Sequence, residues 1–182
     1  MGKQQIGKVF LIMGVSSTGK SSVGQAFANV MNSKFIDGDD LHPKANILKM
    51  SSGMALDDND RAPWLERIRD AVFSIEQKSE TAVIVCSALK RKYRDQIRDG
   101  NQNITFLHLY GDFELVKGRM QDRRGHFMPL SLLQNQFDTL EVPTLDEPDV
   151  IEISIDGDFN AVVGRCVKAA SLLKDLTSAE MV

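Results

Sequence analysis

The chain has 182 residues, 42% of them hydrophobic and 26% charged, with a net charge of −3. That balance suits one globular domain with a sizeable core and excludes a strongly basic nucleic-acid binder or a polybasic membrane-surface protein. No apolar run approaches the ~18 residues of a membrane helix. Cys86 and Cys166 form no CxxC pair and read as buried thiols of a reducing compartment. The start of the chain has no apolar signal-like region, and Ile6 stands where N-myristoylation needs Ser or Thr, so a soluble cytoplasmic protein is expected.

Lys8–Met13, KVFLIM, reads as a first strand. It leads into GVSSTGKS, residues Gly14, Val15, Ser16, Ser17, Thr18, Gly19, Lys20 and Ser21, a complete GxxxxGK(S/T) phosphate-binding loop. An amphipathic helix over Ser22–Val30 follows, with Val23, Phe27 and Val30 or Met31 inward. Strand, glycine loop and helix are the context this motif requires. Gly14 and Gly19 let the chain turn tightly, so successive N–H groups point at phosphate oxygens. The helix presents its positive N-terminal end to the same anion. Lys20 supplies a cation for the β- and γ-phosphates, and Ser21 a hydroxyl for Mg²⁺.

Lys34–Ile36 is a short strand ending in the acidic cluster Asp37-Gly38-Asp39-Asp40. A helix carrying Lys44, Ile47, Leu48 and Met50 and a glycine turn at Gly53 come next. Pro63–Ser74 reads as a helix with Pro63 near its first turn and Leu65, Ile68, Val72 and Ile75 on one side. Ala82–Cys86 is a continuous apolar run suited to a buried parallel strand. Lys90–Arg98 is a strongly basic helix, Ile104–Leu109 a strand, Phe113–Arg123 a helix and Val150–Ile155 the last strand. Asn160–Leu176 is a closing helix with Val163, Val167, Ala170 and Leu173 or Leu172 inward, and residues 177–182 are expected as a loose tail.

Five strands alternating with helices predict an α/β fold, a five-stranded parallel sheet covered on both faces. Ligands then sit beyond the carboxyl ends of the strands. Four features follow strands and are expected to converge there: the phosphate loop, Asp37–Asp40, the segment from Cys86-Ser87 to Lys90, and Gly111-Asp112. There is no NKxD guanine signature, which disfavours a GTPase. The Ala82–Cys86 strand does not end in Asp, so the usual strand-end carboxylate for Mg²⁺ is absent. Asp37 and Asp39 are the substitute. In an extended segment positions i and i+2 point the same way, so Asp39 takes the proton of an acceptor hydroxyl while Asp37 supports the magnesium shell.

Leu41–Leu65 is rich in groups for an anionic polyol: His42, Lys44, Asn46, Lys49, Asp58, Asp60 and Arg61. DGDDLHP, NILKM, GMALDDNDR and APWL within and beside it resemble the signature of the gluconate kinase (gluconokinase) family, a member of the shikimate-kinase-like P-loop kinases. VCSALKRKYRD, RMQDRRGHFMP and LLQNQFDTLEVP resemble its later blocks, in family order, so that the resemblance covers nearly all of Val9 to about Asp156. It implies ATP-dependent phosphorylation of D-gluconate to 6-phospho-D-gluconate by one domain over residues 1–182, with a mobile lid at about 119–143. Gly14 to Ser21 would hold ATP and Mg²⁺, with Asp39 as base. Arg61, and Lys90 or Arg94, would meet the sugar carboxylate, since a guanidinium fork holds a carboxylate through two N–H bonds. Arg119, Arg123 and Arg124 belong to the lid, where one or two neutralise charge on the transferred phosphoryl group. His126 lies near the lid tip and, like His42, in an expected substrate loop. A homodimer is the family habit. Ala55, where the family has Pro, and Asn135, where it often has Ser, are departures that look structural. The alternatives are a kinase for shikimate, adenylylsulfate or a nucleoside monophosphate, and a nucleotide-binding regulator without catalysis.

Blander roles suit several other residues. His108 and Trp64 read as packing, Cys86 as a small buried residue, and Arg91, Lys92 and Arg94 as solvent-facing. Asp146-Glu147, flanked by prolines, reads as an ordinary surface loop.

Overall fold

The centre of the structure is a strand that is apolar and buried from its second residue, Val9, to Met13. In the computed structural model, which describes residues 6–122 and 129–179, β1 (Lys8–Met13) pairs in parallel with β3 (Thr81–Val85) on one side and β4 (Ile104–Tyr110) on the other. β2 (Lys34–Asp37) adds beyond β3 and β5 (Val150–Ser154) beyond β4, so the order is β2-β3-β1-β4-β5, all parallel. Leu11 stands opposite Ile84 and Phe106. Alternate residues of a strand point to opposite faces, and β1 feeds both cores. Phe10 and Ile12 pack with Val23, Phe27 and Ala28 of α1 (Lys20–Val30) and with α7 (Phe159–Ala179). Val9, Leu11 and Met13 pack with Leu65, Ile68 and Val72 of α3 (Asp58–Gln77) and Ile97 of α4 (Arg91–Arg98). α2 (Lys44–Ser51), α5 (Phe113–Asp122) and α6 (Leu130–Thr139) complete the helices of the described residues, and none of these is long and apolar enough to cross a membrane.

Several boundaries and faces differ from the sequence reading. α1 begins at Lys20, and its exposed Val30 yields the inner position to Met31. α3 starts five residues before Pro63 because a capping box fixes its start. Asp57 accepts from the Asp60 N–H at 2.8 Å, and the Asp60 carboxylate accepts from the Asp57 N–H at 2.9 Å. Pro63 therefore sits inside the helix, where its ring nitrogen cannot donate to the carbonyl four residues back. α6 starts two residues ahead of the LLQNQFDTLEVP block, for which the sequence reading gives no helix. α7 runs to Ala179, three residues into the stretch expected as a tail. Its inner residue near the end is Leu173, not the exposed Leu172.

The largest correction concerns Arg94 and Glu147, read as a solvent-facing residue and a surface-loop residue. Both are buried, at 0% and 4% exposure. Arg94 grips Glu147 with two bonds, Nε to Oε2 at 2.7 Å and Nη2 to Oε1 at 2.6 Å. Its other N–H groups go to the carbonyls of Ala88, Leu89 and Glu141 at 3.0, 3.2 and 3.0 Å. All five guanidinium donors are thus matched. Arg98 donates to Glu147 at 2.7 Å and takes Asp149 with two more bonds. Burial opposes ionisation of Glu147, but the bonds from Arg94 and Arg98 outweigh it and hold its pKa below the usual glutamate value.

Replacing Glu147 with Ala leaves a buried guanidinium unpaired and is expected to cost about 3–5 kcal/mol in urea unfolding. A depressed folded-state pKa stabilises fully above the ordinary carboxylate range and loses that contribution as pH falls through the lowered value. The stability gap between wild type and Glu147→Gln should therefore shrink on acidification through that window.

Candidate active site

At the carboxyl ends of β1, β2 and β3 lies a cavity of about 710 Å³. Ser16, Ser17, Gly19, Lys20 and Ser21 of the phosphate loop form one wall. The loop departs from β1 through Gly14, at φ +139°, where an added Cβ would come within 2.5 Å of the Leu109 carbonyl oxygen. The Gly14 N–H donates to Ser87 O at 3.2 Å, tying the loop to the segment after β3. Inside the loop, Thr18 Oγ1 and Lys20 Nζ both donate to the Val15 carbonyl, at 2.9 and 2.8 Å. Gly19, at φ +89°, ends the loop, and α1 opens with Lys20 and Ser21 and no acidic residue in its first turn. Its first N–H groups lack helical partners and suit an anion.

The acidic cluster forms the facing wall. It is not extended, as the i and i+2 reading required. Gly38–Leu41 is a 3₁₀ turn, and the Asp37 side chain caps it by accepting from the Asp39 N–H at 3.1 Å. Asp37 and Asp39 nonetheless line the same cavity as Lys20 and Ser21. Gly38 makes this approach possible, since a Cβ there would lie 2.3 Å from the Val85 carbonyl oxygen. Trp64 Nε1 donates to Gly38 O at 2.7 Å, so this residue is both core and cavity wall. The Asp39 carboxyl is 84% open toward the cleft, yet partial desolvation there and the Asp37 charge push its pKa up, against His42 and Lys20.

His42 is buried, stacked on Trp64 with ring centres 4.1 Å apart, and its Nε2 lies 3.9 Å from Asp39 Oδ1. Burial lowers its pKa, with Asp39 opposing and Arg61 assisting, which favours the neutral ring. Arg61 is on the cavity wall; its guanidinium donates to Leu56 O at 3.3 Å and lies over the Tyr93 ring. Ala55 and Asn135, expected to be merely structural, are on the wall too. Gln136 of α6, not singled out in the sequence, grips the phosphate loop twice. Its Oε1 accepts from the Ser16 N–H at 2.6 Å, and its Nε2 donates to Ser16 Oγ at 2.8 Å.

Other expected site residues stand elsewhere. Lys90 is off the cavity wall and pairs with Asp58 at 3.1 Å; Asp58 also takes Lys92 and the Tyr93 hydroxyl. Arg94, the alternative to Lys90, is committed to Glu147 and out of reach of a ligand. Arg119 is also off the wall and donates to the carbonyls of Ile155 and Gly157, the latter at 2.8 Å. Gly111-Asp112 does not join the crevice. Asp112 caps α5 by accepting from the Leu115 N–H at 2.8 Å, and Gly111 packs on Ile155. Burial raises the Cys86 thiol to about 12, which removes it as a nucleophile. Arg123, Arg124, Gly125 and His126 lie outside the described residues.

A phosphate loop facing an acidic turn across one cavity is the layout of a small-molecule phosphotransferase. The shikimate kinase family model matches residues 16–146. The thermosensitive gluconokinase of Escherichia coli (strain K12) is 49% identical over 168 residues, 92% of this chain and 90% of that protein. The chain belongs to the gluconokinase family. The thermoresistant gluconokinase of the same strain is 44% identical over 160 residues, 88% of this chain and 91% of that protein. The crystal structure of a gluconokinase from Sinorhizobium meliloti 1021 superimposes with a TM-score of 0.83 at 40% identity, covering 97% of this chain and 99% of that one. The fold of a gluconokinase-family member is thereby the fold described above, from the phosphate loop to the closing helix.

Gly38→Ala should move the acidic turn off the end of β3. An overpacking cost of about 1–3 kcal/mol is expected in urea unfolding, with a fall in kcat because Asp39 moves with the turn.

Proposed function

We infer that this chain is an ATP-dependent kinase of D-gluconate, forming 6-phospho-D-gluconate and ADP. The observation that carries the reading is the convergence of Lys20, Ser21, Asp37, Asp39 and Arg61 on one cavity in a chain of this family. The N–H groups and Lys20 of the phosphate loop hold the triphosphate. Arg61, the guanidinium on the acceptor side, meets the sugar carboxylate, and His42 lies beside it. Asp39 accepts the proton of the acceptor hydroxyl as that oxygen bonds to the γ-phosphorus and the bond to the β-phosphate oxygen breaks. Its raised pKa and its place opposite Lys20 support this role. Transfer is direct, since the nearby thiol is buried and protonated.

The donor set fits magnesium. Ser21 from the phosphate loop and Asp37 from the acidic turn offer oxygen to the same cavity, and Mg²⁺ is commonly held by one or two protein oxygens together with phosphate oxygens and water. Bound there, it would neutralise phosphate charge. Met120, Leu132, Asn135 and Thr139 line the cavity from α5 and α6, which fits a lid over about 119–143 that closes and excludes water. Arg123 and Arg119 are assigned to the nucleotide side of this lid, and His126 to its substrate side, on the resemblance. Lys90, paired with Asp58 off the cavity wall, takes no part in the site. A single domain, a cytoplasmic location and a homodimer complete the reading.

A coupled ADP-release assay tests it with gluconate, shikimate, adenylylsulfate and nucleoside monophosphates as acceptors. Turnover with gluconate is expected, and turnover with another acceptor alone would sink the specificity. Asp39→Asn should lower kcat by roughly 10²- to 10⁴-fold with little change in the KM for ATP. Unchanged kcat would remove Asp39 from the base role.

A further inference from the structure

Asn46 is buried in α2, although its neighbours Ile47 and Leu48 are exposed. Its carboxamide nitrogen makes two contacts within the protein. It donates to the backbone carbonyl of Asp60 at 2.8 Å, and it lies 3.2 Å from Nδ1 of His42. A carbonyl oxygen only accepts, so the group facing Asp60 is the NH₂ and not the amide oxygen. The second hydrogen of that NH₂ then points at His42 Nδ1. A nitrogen that receives a hydrogen bond carries no proton of its own. The ring proton is therefore on Nε2, the atom that faces Asp39 Oδ1 at 3.9 Å. Stacking on Trp64 holds the ring plane, while Trp64 Nε1 holds the Gly38 carbonyl beside Asp39.

We propose that Asn46 is a positioning residue for phosphoryl transfer, fixing His42 as the Nε2–H tautomer so that the ring presents a single donor to the Asp39 carboxylate. The 3.9 Å separation is longer than a hydrogen bond, as catalytic contacts often are before substrate binds; once it shortens, the Nε2–H orients the carboxylate and leaves its other oxygen for the acceptor proton. A neutral donor does this without the cost of a cation, because an imidazolium at this distance would stabilise the carboxylate and weaken it as a base. The groups facing His42 are consistent with neutrality: Asp39 from the 3₁₀ turn, Arg61 and Trp64 from α3, and Asn46 from α2. The Asn46 NH₂ is spent on protein partners and Asn46 is not on the cavity wall, so it acts on the reaction through His42. The catalytic half of the proposal rests on the kinase reading with Asp39 as base; the tautomer half does not.

The test combines ¹⁵N NMR of the labelled enzyme with steady-state kinetics, the His42 signals being identified by their loss in His42→Gln. In the wild type, His42 Nδ1 should resonate as an unprotonated imidazole nitrogen and Nε2 as a protonated one. Asn46→Ala should give a tautomer mixture and lower kcat by roughly 10- to 100-fold, on the scale seen when a metal-bound histidine loses its orienting partner, with the KM for ATP little changed. Asn46→Asp, which sets an acceptor against Nδ1, should draw the proton there. A wild-type ring protonated on Nδ1 overturns the proposal, whether or not the variants fold. A variant that loses the tautomer and keeps kcat, or loses kcat with the tautomer intact, overturns the positioning role. No gluconate turnover in a wild type with the Nε2–H ring would end the kinase reading and leave the tautomer assignment standing.

Discussion

The guanidinium of Arg94, buried with each of its five N–H groups matched to an oxygen, holds the segment on which the site stands. It grips the carbonyls of Ala88 and Leu89 just beyond β3, and Glu141 just beyond α6. The residue before Ala88 is Ser87, whose carbonyl takes the Gly14 N–H. One buried side chain thus ties the phosphate loop, the end of β3 and the end of α6 to the loop that carries Glu147. An ion pair in this position is weak as net stabilisation, since desolvating two charges costs about as much as their attraction returns. Its value lies in geometry. The fork accepts its oxygens only in fixed directions, so the backbone around it has little freedom.

Charge near the cavity is divided by the same logic. The basic helix α4 brings Lys90, Arg91, Lys92, Arg94 and Arg98 toward the site, yet its cations are paired within the protein. Lys90 and Lys92 go to Asp58, Arg91 to Asp146, Arg94 to Glu147 and Arg98 to Asp149. Lys20 and Arg61 are the cations of the described residues on the cavity wall itself. Both share that wall with Asp37 and Asp39 of the acidic turn.

Local pattern explains what was legible in the sequence. Apolar runs marked the central strands β1, β3 and β4 to within a residue, because a strand buried on both faces has to be almost continuously apolar, and the shorter, half-exposed edge strands β2 and β5 showed as brief apolar stretches. The phosphate loop was legible because its chemistry needs glycine and lysine at set offsets within eight residues. The Arg94–Glu147 pair was not, because its partners lie 53 positions apart and each is, locally, a charged residue beside others. Gln136 was missed for the same reason, its partner Ser16 being 120 positions away. Asp37 and Asp39 were found for a partly mistaken reason. They share a cavity through a 3₁₀ turn capped by Asp37, where side-chain direction follows the cap and not the strand period. Asn46 was picked out as polar and near the site, but only its contacts distinguish a ligand group from an anchor.

β1 carries one more consequence. Because both of its faces are apolar and buried, sliding it by one residue would exchange one set of hydrophobic side chains for another, and oil-and-water sorting barely resists the slip. Its alignment has to be written at its ends. Lys8 Nζ reaches Thr105 Oγ1 at 2.6 Å and the Val9 N–H reaches Asn103 O at 3.1 Å at one end, while Gly14 meets Ser87 O at the other. The first glycine of the phosphate loop is thus also an end-stop for the central strand. A slip of one residue would carry the loop about 3.3 Å along the sheet, more than any hydrogen bond tolerates. The place where phosphate is to be held is, in that sense, gauged by the framework it stands on.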